Sequence, residues 1–131
     1  MPQFKQVVLY TQSNGFAAFR EESIELSEGT PQSALSPLCP SDGYQLRMSP
    51  VGFRSTFHVT TKPQWVFILQ GRMRIGLQDG SSRVFGPGEH FYSADLLPDG
   101  ATFDPKIHGH WSAQEGEDPL VTVFVRSGDA A

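Results

Sequence analysis

The sequence predicts an all-β protein, and three observations carry that prediction. Turn-forming residues are abundant, with 13 Gly and 10 Pro. They stand beside 10 Phe, an aromatic that favours strands over helices. From Tyr44 to Arg126, short extended runs are punctuated by turn signals about every 8–12 residues, the pattern of a sandwich or barrel. At 131 residues the chain has the length of one domain and can bury a core without staples.

The elements follow in order. Phe4 to Tyr10 reads as a short strand. Residues 18–26, AFREESIEL, have no clean period of either kind and are read as strand. Residues 27–43 hold Pro31, Pro37 and Pro40 and read as an ordered arm, whose Leu35, Leu38 and Cys39 could pack on a barrel wall or a partner. Tyr44, Leu46 and Met48 alternate with Gln45 and Arg47 until Pro50 and Gly52 break the run. Residues 53–60, FRSTFHVT, read as the next strand. QWVFILQ, 64–70, lacks alternation, as expected for a strand buried on both faces. RMRIGLQ, 72–78, alternates again and runs into Asp79-Gly80, the strongest hairpin signal in the chain. SRVF leads to the tight turn Gly86-Pro87-Gly88. HFYSAD (90–95), ATFDP (101–105), IHGHWSA (107–113) and LVTVFVR (120–126) complete about nine strands. The chain thus divides into N-terminal strands and an arm over 1–43, a barrel over 44–126 and a tail over 127–131.

Composition excludes several function classes. The formal net charge is −4, and the ten Lys and Arg are scattered without a basic stripe, so no nucleic-acid partner is expected. No apolar run reaches the roughly 18 residues of a membrane helix, so no membrane partner is expected. Cys39 is the only cysteine, which excludes an internal disulfide and a cysteine-only zinc site. The N-terminus shows no secretory pattern, and a reducing cytoplasm is the expected location.

The order H-x-T-x3-Q-x6-G, then a strand, D-G, a strand, G-P-G and a later G-H resembles the cupin superfamily. The cupin first motif is a Gly followed by H-x-H-x3-4-E-x6-G, and Gly52, His58, Thr60, Gln64 and Gly71 occupy its places. Thr60 and Gln64 replace a His and a Glu. In the second motif, Gly86-Pro87-Gly88 matches the turn, but Phe91 stands where a ligand His is expected, with His90 one place early. A subgroup of small bacterial cupin-domain proteins is similar through Phe57-His58, Pro63-Gln64-Trp65-Val66, Leu69, Gly71, Asp79-Gly80, Phe85-Gly86-Pro87-Gly88 and Gly109-His110. The resemblance implies a double-stranded β-helix, or jelly-roll, barrel.

It also implies a ligand in the barrel lumen and a divalent first-row metal, Fe, Mn, Ni or Zn. His58, Gln64 and His108 or His110 are the candidate metal ligands. A metal-free pocket, in which His58 is satisfied by Gln64 or Thr60, is the alternative. There His58 would serve as acid/base, assisted by Tyr92.

Strand periodicity adds directions. His58 and Thr60 point the same way, as do Gln64, Val66 and Ile68, and the cupin register would turn both sets to the lumen; His108 and His110 would also point together. Trp65, Phe67 and Leu69 then face outward and need a cover, which predicts a homodimer. Arg47 is expected on the solvated outer face; turned inward, it would grip a substrate carboxylate. The functions these features support are a metal-dependent enzyme acting on a small organic molecule, or a non-catalytic small-molecule-binding barrel.

Overall fold

The computed structural model describes residues 2–128, so residues 129–131 of the expected tail lie outside the description. Eleven strands are formed: β1 Gln3–Thr11, β2 Ala17–Glu25, β3 Glu28–Thr30, β4 Ser33–Leu35, β5 Ser41–Ser49, β6 Gln64–Gln70, β7 Arg72–Gly76, β8 Ser82–Phe85, β9 His90–Ala94, β10 Trp111–Glu115 and β11 Leu120–Ser127. No helix occurs among the described residues. The all-β class expected from turn spacing is what the chain adopts.

Six strands form one sheet in the order β2-β1-β9-β6-β11-β5, and β10-β7-β8 form a second. Strands β1 and β9 run parallel; the other ladders are antiparallel. The arm folds back on itself as the β3–β4 hairpin. The core lies between the two sheets. Leu9, Val66, Ile68, Phe91 and Leu120 from the large sheet pack with Met73, Ile75 and Phe85 from the small one. Phe85 and Phe91 stack with ring centres 4.6 Å apart. Burying each such side chain contributes about 1.5–3 kcal/mol. Because Leu9 and Ala17 join this core, the N-terminal strands are part of the sandwich.

The sheets do not close into a continuous barrel ladder among the described residues. Residues 53–60 do not form the expected strand. Their β-pairing with the small sheet's side is limited to isolated bridges, Arg54 to Ala113 and His58 to His110. The Ser55 hydroxyl explains part of this. It accepts the Ser112 N–H and contacts the Thr56 carbonyl, so a side chain occupies places a ladder would use. Residues 101–104 are likewise irregular and lead into a turn at 105–107. The Asp104 carbonyl takes the N–H groups of both Ile107 and His108, and its carboxylate caps the Lys106 N–H.

Strand β6 also departs from expectation. Val66 and Ile68 are buried, but Phe67 and Leu69 are exposed, so in the single chain only one face is covered. Its apolar outer face continues onto β5, where Tyr44, Leu46 and Met48 are each about 70% exposed (70, 67 and 69%).

Candidate functional site

Alternation decides which side chains reach the space between the sheets. On β9, Phe91 and Ser93 point inward, and Asp95, just past the strand, continues that face. On β6 the inward set begins with Gln64 and Val66; on β7 it is Met73 and Ile75. Together with Arg47 of β5, Phe124 of β11, His58 and His110, these line a cavity of about 220 Å³. Val66, Met73, Ile75 and Phe91 give it buried apolar side chains and Thr60, Ser93, Ser112 and His110 buried polar ones, and the exposed Arg47 and His58 mark its mouth.

His58 and His110 meet at that mouth. Each donates its backbone N–H to the other's carbonyl, both at 2.9 Å, and their ring centres are 4.7 Å apart. Gly109 makes the approach possible. Its φ is +89°, and a Cβ there would sit 2.5 Å from the His58 carbonyl oxygen. The G-H pair in the sequence therefore has a steric meaning: only glycine lets the chain pass this close.

The proton positions follow from the partners. The Thr56 carbonyl can only accept, so His58 Nδ1 carries a proton and donates it at 2.9 Å. His110 Nδ1 donates to Asp95 Oδ2 at 2.8 Å. Asp95 is fully buried, and the Thr11 hydroxyl lies 2.8 Å from its other oxygen. Both imidazoles are thus held in the tautomer whose Nε2 bears a free lone pair when the ring is neutral. Partial burial of the ring lowers the His58 pKa below its ordinary value. The Thr56 carbonyl opposes this, the neighbouring His110 and Arg47 lower it further, and Asp95 raises it. His58 is accordingly a neutral base at physiological pH. Thr60 and Ser93 satisfy each other's hydroxyls at 2.7 Å in the wall.

The structure brings His58, Gln64 and His110 to one cavity and leaves His108 and Tyr92 outside it. The expectation that His108 and His110 share a face is corrected here. A turn at 105–107 and a bend at His108 precede β10, and the positive φ of Gly109 rotates the two side chains apart. His108 Nδ1 instead accepts the Asp104 N–H at 2.9 Å, and its ring lies near Phe103. Tyr92 is on the opposite face of β9, tilted against Trp65 at 5.1 Å. His90 is sandwiched between Phe4 and Phe67 on the outer face, with Nε2 3.1 Å from Gln6 Oε1. Arg47, expected on the solvated outer face, lines the cavity.

Among the described residues no group of three His, Cys, Asp or Glu side chains converges as a metal site. The cavity's donors toward a cation are two imidazole Nε2 atoms and the Gln64 carboxamide, with no anionic ligand. Asp95 is committed to His110 and Thr11. This set does not by itself fit a resident first-row metal, whose sites usually include a carboxylate or thiolate beside so few imidazoles.

A scan against protein-family models finds no match to this chain, and a search of the curated proteins finds none either. Sequence reasoning left Asp95 and Ser93 without a position. The signal was present in HFYSAD, because inward Phe91 places residues 93 and 95 on the same face by period two.

Proposed function

We propose that this chain is a cupin-type protein that binds a small organic molecule in the cavity between its sheets and offers it His58 as an acid/base group. The observation that supports this best is the paired imidazoles, both with Nδ1 committed and Nε2 free, at the mouth of a cavity lined by both apolar and polar side chains. His58 accepts a proton on Nε2 from the bound molecule and returns it at another position, as an isomerisation or dehydration requires. Asp95 holds the His110 ring in place through the Nδ1–H bond. Gln64 donates or accepts a hydrogen bond that orients the ligand. No step is routed through a metal. The protein is proposed to act in the cytoplasm.

The test is hydrogen exchange. The protein is incubated in D2O with a panel of small carbonyl compounds, and loss of the proton beside the carbonyl is followed by 1H NMR. Catalysed exchange that His58→Gln abolishes is expected. Binding that shifts the His58 ring signals without any exchange would support the second reading, a binding protein without catalysis. That reading draws on Thr60 and Gln64, which replace ionisable residues of the resembling motif. Neither exchange nor shifts would sink both.

The outer face of the large sheet is proposed to meet a second copy of the chain. Tyr44, Leu46, Met48 and Leu69 form an exposed apolar surface, and β5 is an edge strand with one side unpaired. Leu38 on the adjoining arm is 94% exposed, an apolar group placed to reach across such an interface.

A further inference from the structure

We infer that the molecule this cavity selects is a small carboxylate, and that Arg47 is the residue that holds its charged end. The inference rests on the cavity being the binding site and adds the ligand's chemical class.

Arg47 lies on the inner face of β5, opposite Thr122 of β11, which is almost fully buried. Two rings bracket its guanidinium. The central carbon is 4.9 Å from the Phe53 ring centre and 5.6 Å from that of Phe124. Stacking of this kind fixes the plane of the group in advance of binding. Arg20, Arg74 and Arg83 pair with Glu22, Glu115 and Glu21, and of the arginines without an ion pair among the described residues (Arg47, Arg54, Arg72 and Arg126) only Arg47 lines this cavity. Among the described residues Arg47 has neither an ion pair nor a hydrogen bond to protein. A guanidinium held in place with its N–H donors unspent is a receptor for a planar, bidentate anion.

The surroundings narrow the anion to a carboxylate. The chain carries a net charge of −4, yet no ionised carboxylate lines this cavity. Asp95 lies behind His110, hydrogen-bonded on both oxygens. No lysine and no second arginine joins Arg47 there, and His58 is neutral, so one negative charge is matched. A phosphate dianion would find half its charge uncompensated and no helix terminus to supply amide donors. The rest of the ligand meets the apolar Val66, Ile75 and Phe91 beside the hydroxyls of Thr60, Ser93 and Ser112. At about 220 Å³ the space is smaller than the roughly 300–1,000 Å³ of cavities that hold drug-sized molecules.

The experiment uses three probes of nearly equal shape: benzoate, benzamide and benzyl alcohol. Their affinities for the full chain are measured by titration calorimetry. The methyl signals of Ile75 are followed by NMR to locate the ligand. Benzoate is expected to bind at least about tenfold more tightly than benzamide, since a charge-assisted bidentate contact exceeds a neutral one by that much. Arg47→Gln should remove this preference, and Arg47→Lys should restore only part of it. Both variants alter an exposed side chain, and an unchanged melting temperature will show that the fold is intact. If benzamide or benzyl alcohol shifts Ile75 and binds as tightly as benzoate, the carboxylate inference fails while the cavity stands as a binding site. Unchanged benzoate affinity in Arg47→Gln overturns the inference in the same way. If none of the three moves the Ile75 signals, the binding site itself has been misplaced and both readings fall.

Discussion

His58 and His110 exchange a pair of backbone hydrogen bonds at 2.9 Å and hold their imidazoles 4.7 Å apart, although 51 residues separate them in the chain (110 − 58 − 1). This one bridge ties an irregular segment to the start of β10. It sets the geometry of the candidate site, and it depends on a glycine.

Gly109→Ala should break the bridge. A methyl group at this position would stand 2.5 Å from the His58 oxygen, on a backbone with φ near +89°. Gly80→Ala is the control, because Gly80 has nearly the same φ, +88°, but open space around it. Denaturant unfolding should show Gly80→Ala costing about 1 kcal/mol for the backbone alone. Gly109→Ala should cost clearly more, about 2–4 kcal/mol with the steric clash included. Equal losses would mean that the close approach carries no energetic weight.

Asp95→Ala should leave the His110 Nδ1–H without its buried acceptor, while the Thr11 hydroxyl keeps the Leu96 carbonyl at 2.9 Å. A loss of about 1–3 kcal/mol in stability is expected from unfolding curves. The 15N signals of His110 should also move from a single Nδ1–H tautomer toward a mixture. A His110 spectrum unchanged by the substitution would show that Asp95 does not set the tautomer.

The pH dependence of folding follows from two histidines. Burial lowers the pKa of His90, and partial burial foremost lowers that of His58, from the ordinary value of 6.5. The unfolded chain therefore binds protons that the folded chain resists. Stability is fully present above pH 6.5 and is lost as pH falls through that value toward the lowered folded ones. Thermal unfolding between about pH 5 and 7.5 should show this slope, and His90→Gln should flatten it. A melting temperature that rises on acidification across this window would contradict the assignment.

Sedimentation should find the wild-type chain as a dimer at micromolar concentration. Leu46→Glu combined with Met48→Glu places charge on the exposed outer face without touching the core. This double variant should be monomeric with an unchanged far-ultraviolet spectrum. A monomeric wild type would remove the dimer from the proposal.

Much of the fold was legible because strand periodicity and turn chemistry are local. QWVFILQ formed a strand with the expected bounds, and Asp79-Gly80 and Gly86-Pro87-Gly88 formed turns where their residue types require them. Residues 53–60 and 101–105 have strand-like residue types but form no strand, because a strand also needs a partner, and residue types do not show whether one is available. The Ser55 hydroxyl and the Asp104 carbonyl claim groups that a ladder would have used. The missing alternation in β6 was read as burial on both faces. In the single chain it marks an outer face left uncovered.

For the site, the sequence by itself determined which residues were candidates and, through period two, that Gln64, Val66 and Ile68 share a face; that His58, Thr60 and Gln64 would face inward was implied by the cupin resemblance. Only the tertiary structure decided between His108 and His110. Two residues apart share a face only while the strand persists, and the positive φ of Gly109 ends that rule between them. It also brought Asp95 to His110 and turned Arg47 toward the cavity. Neither arrangement is written in local spacing, because each depends on which strands lie side by side, and that is set by the burial of the shared core between the sheets.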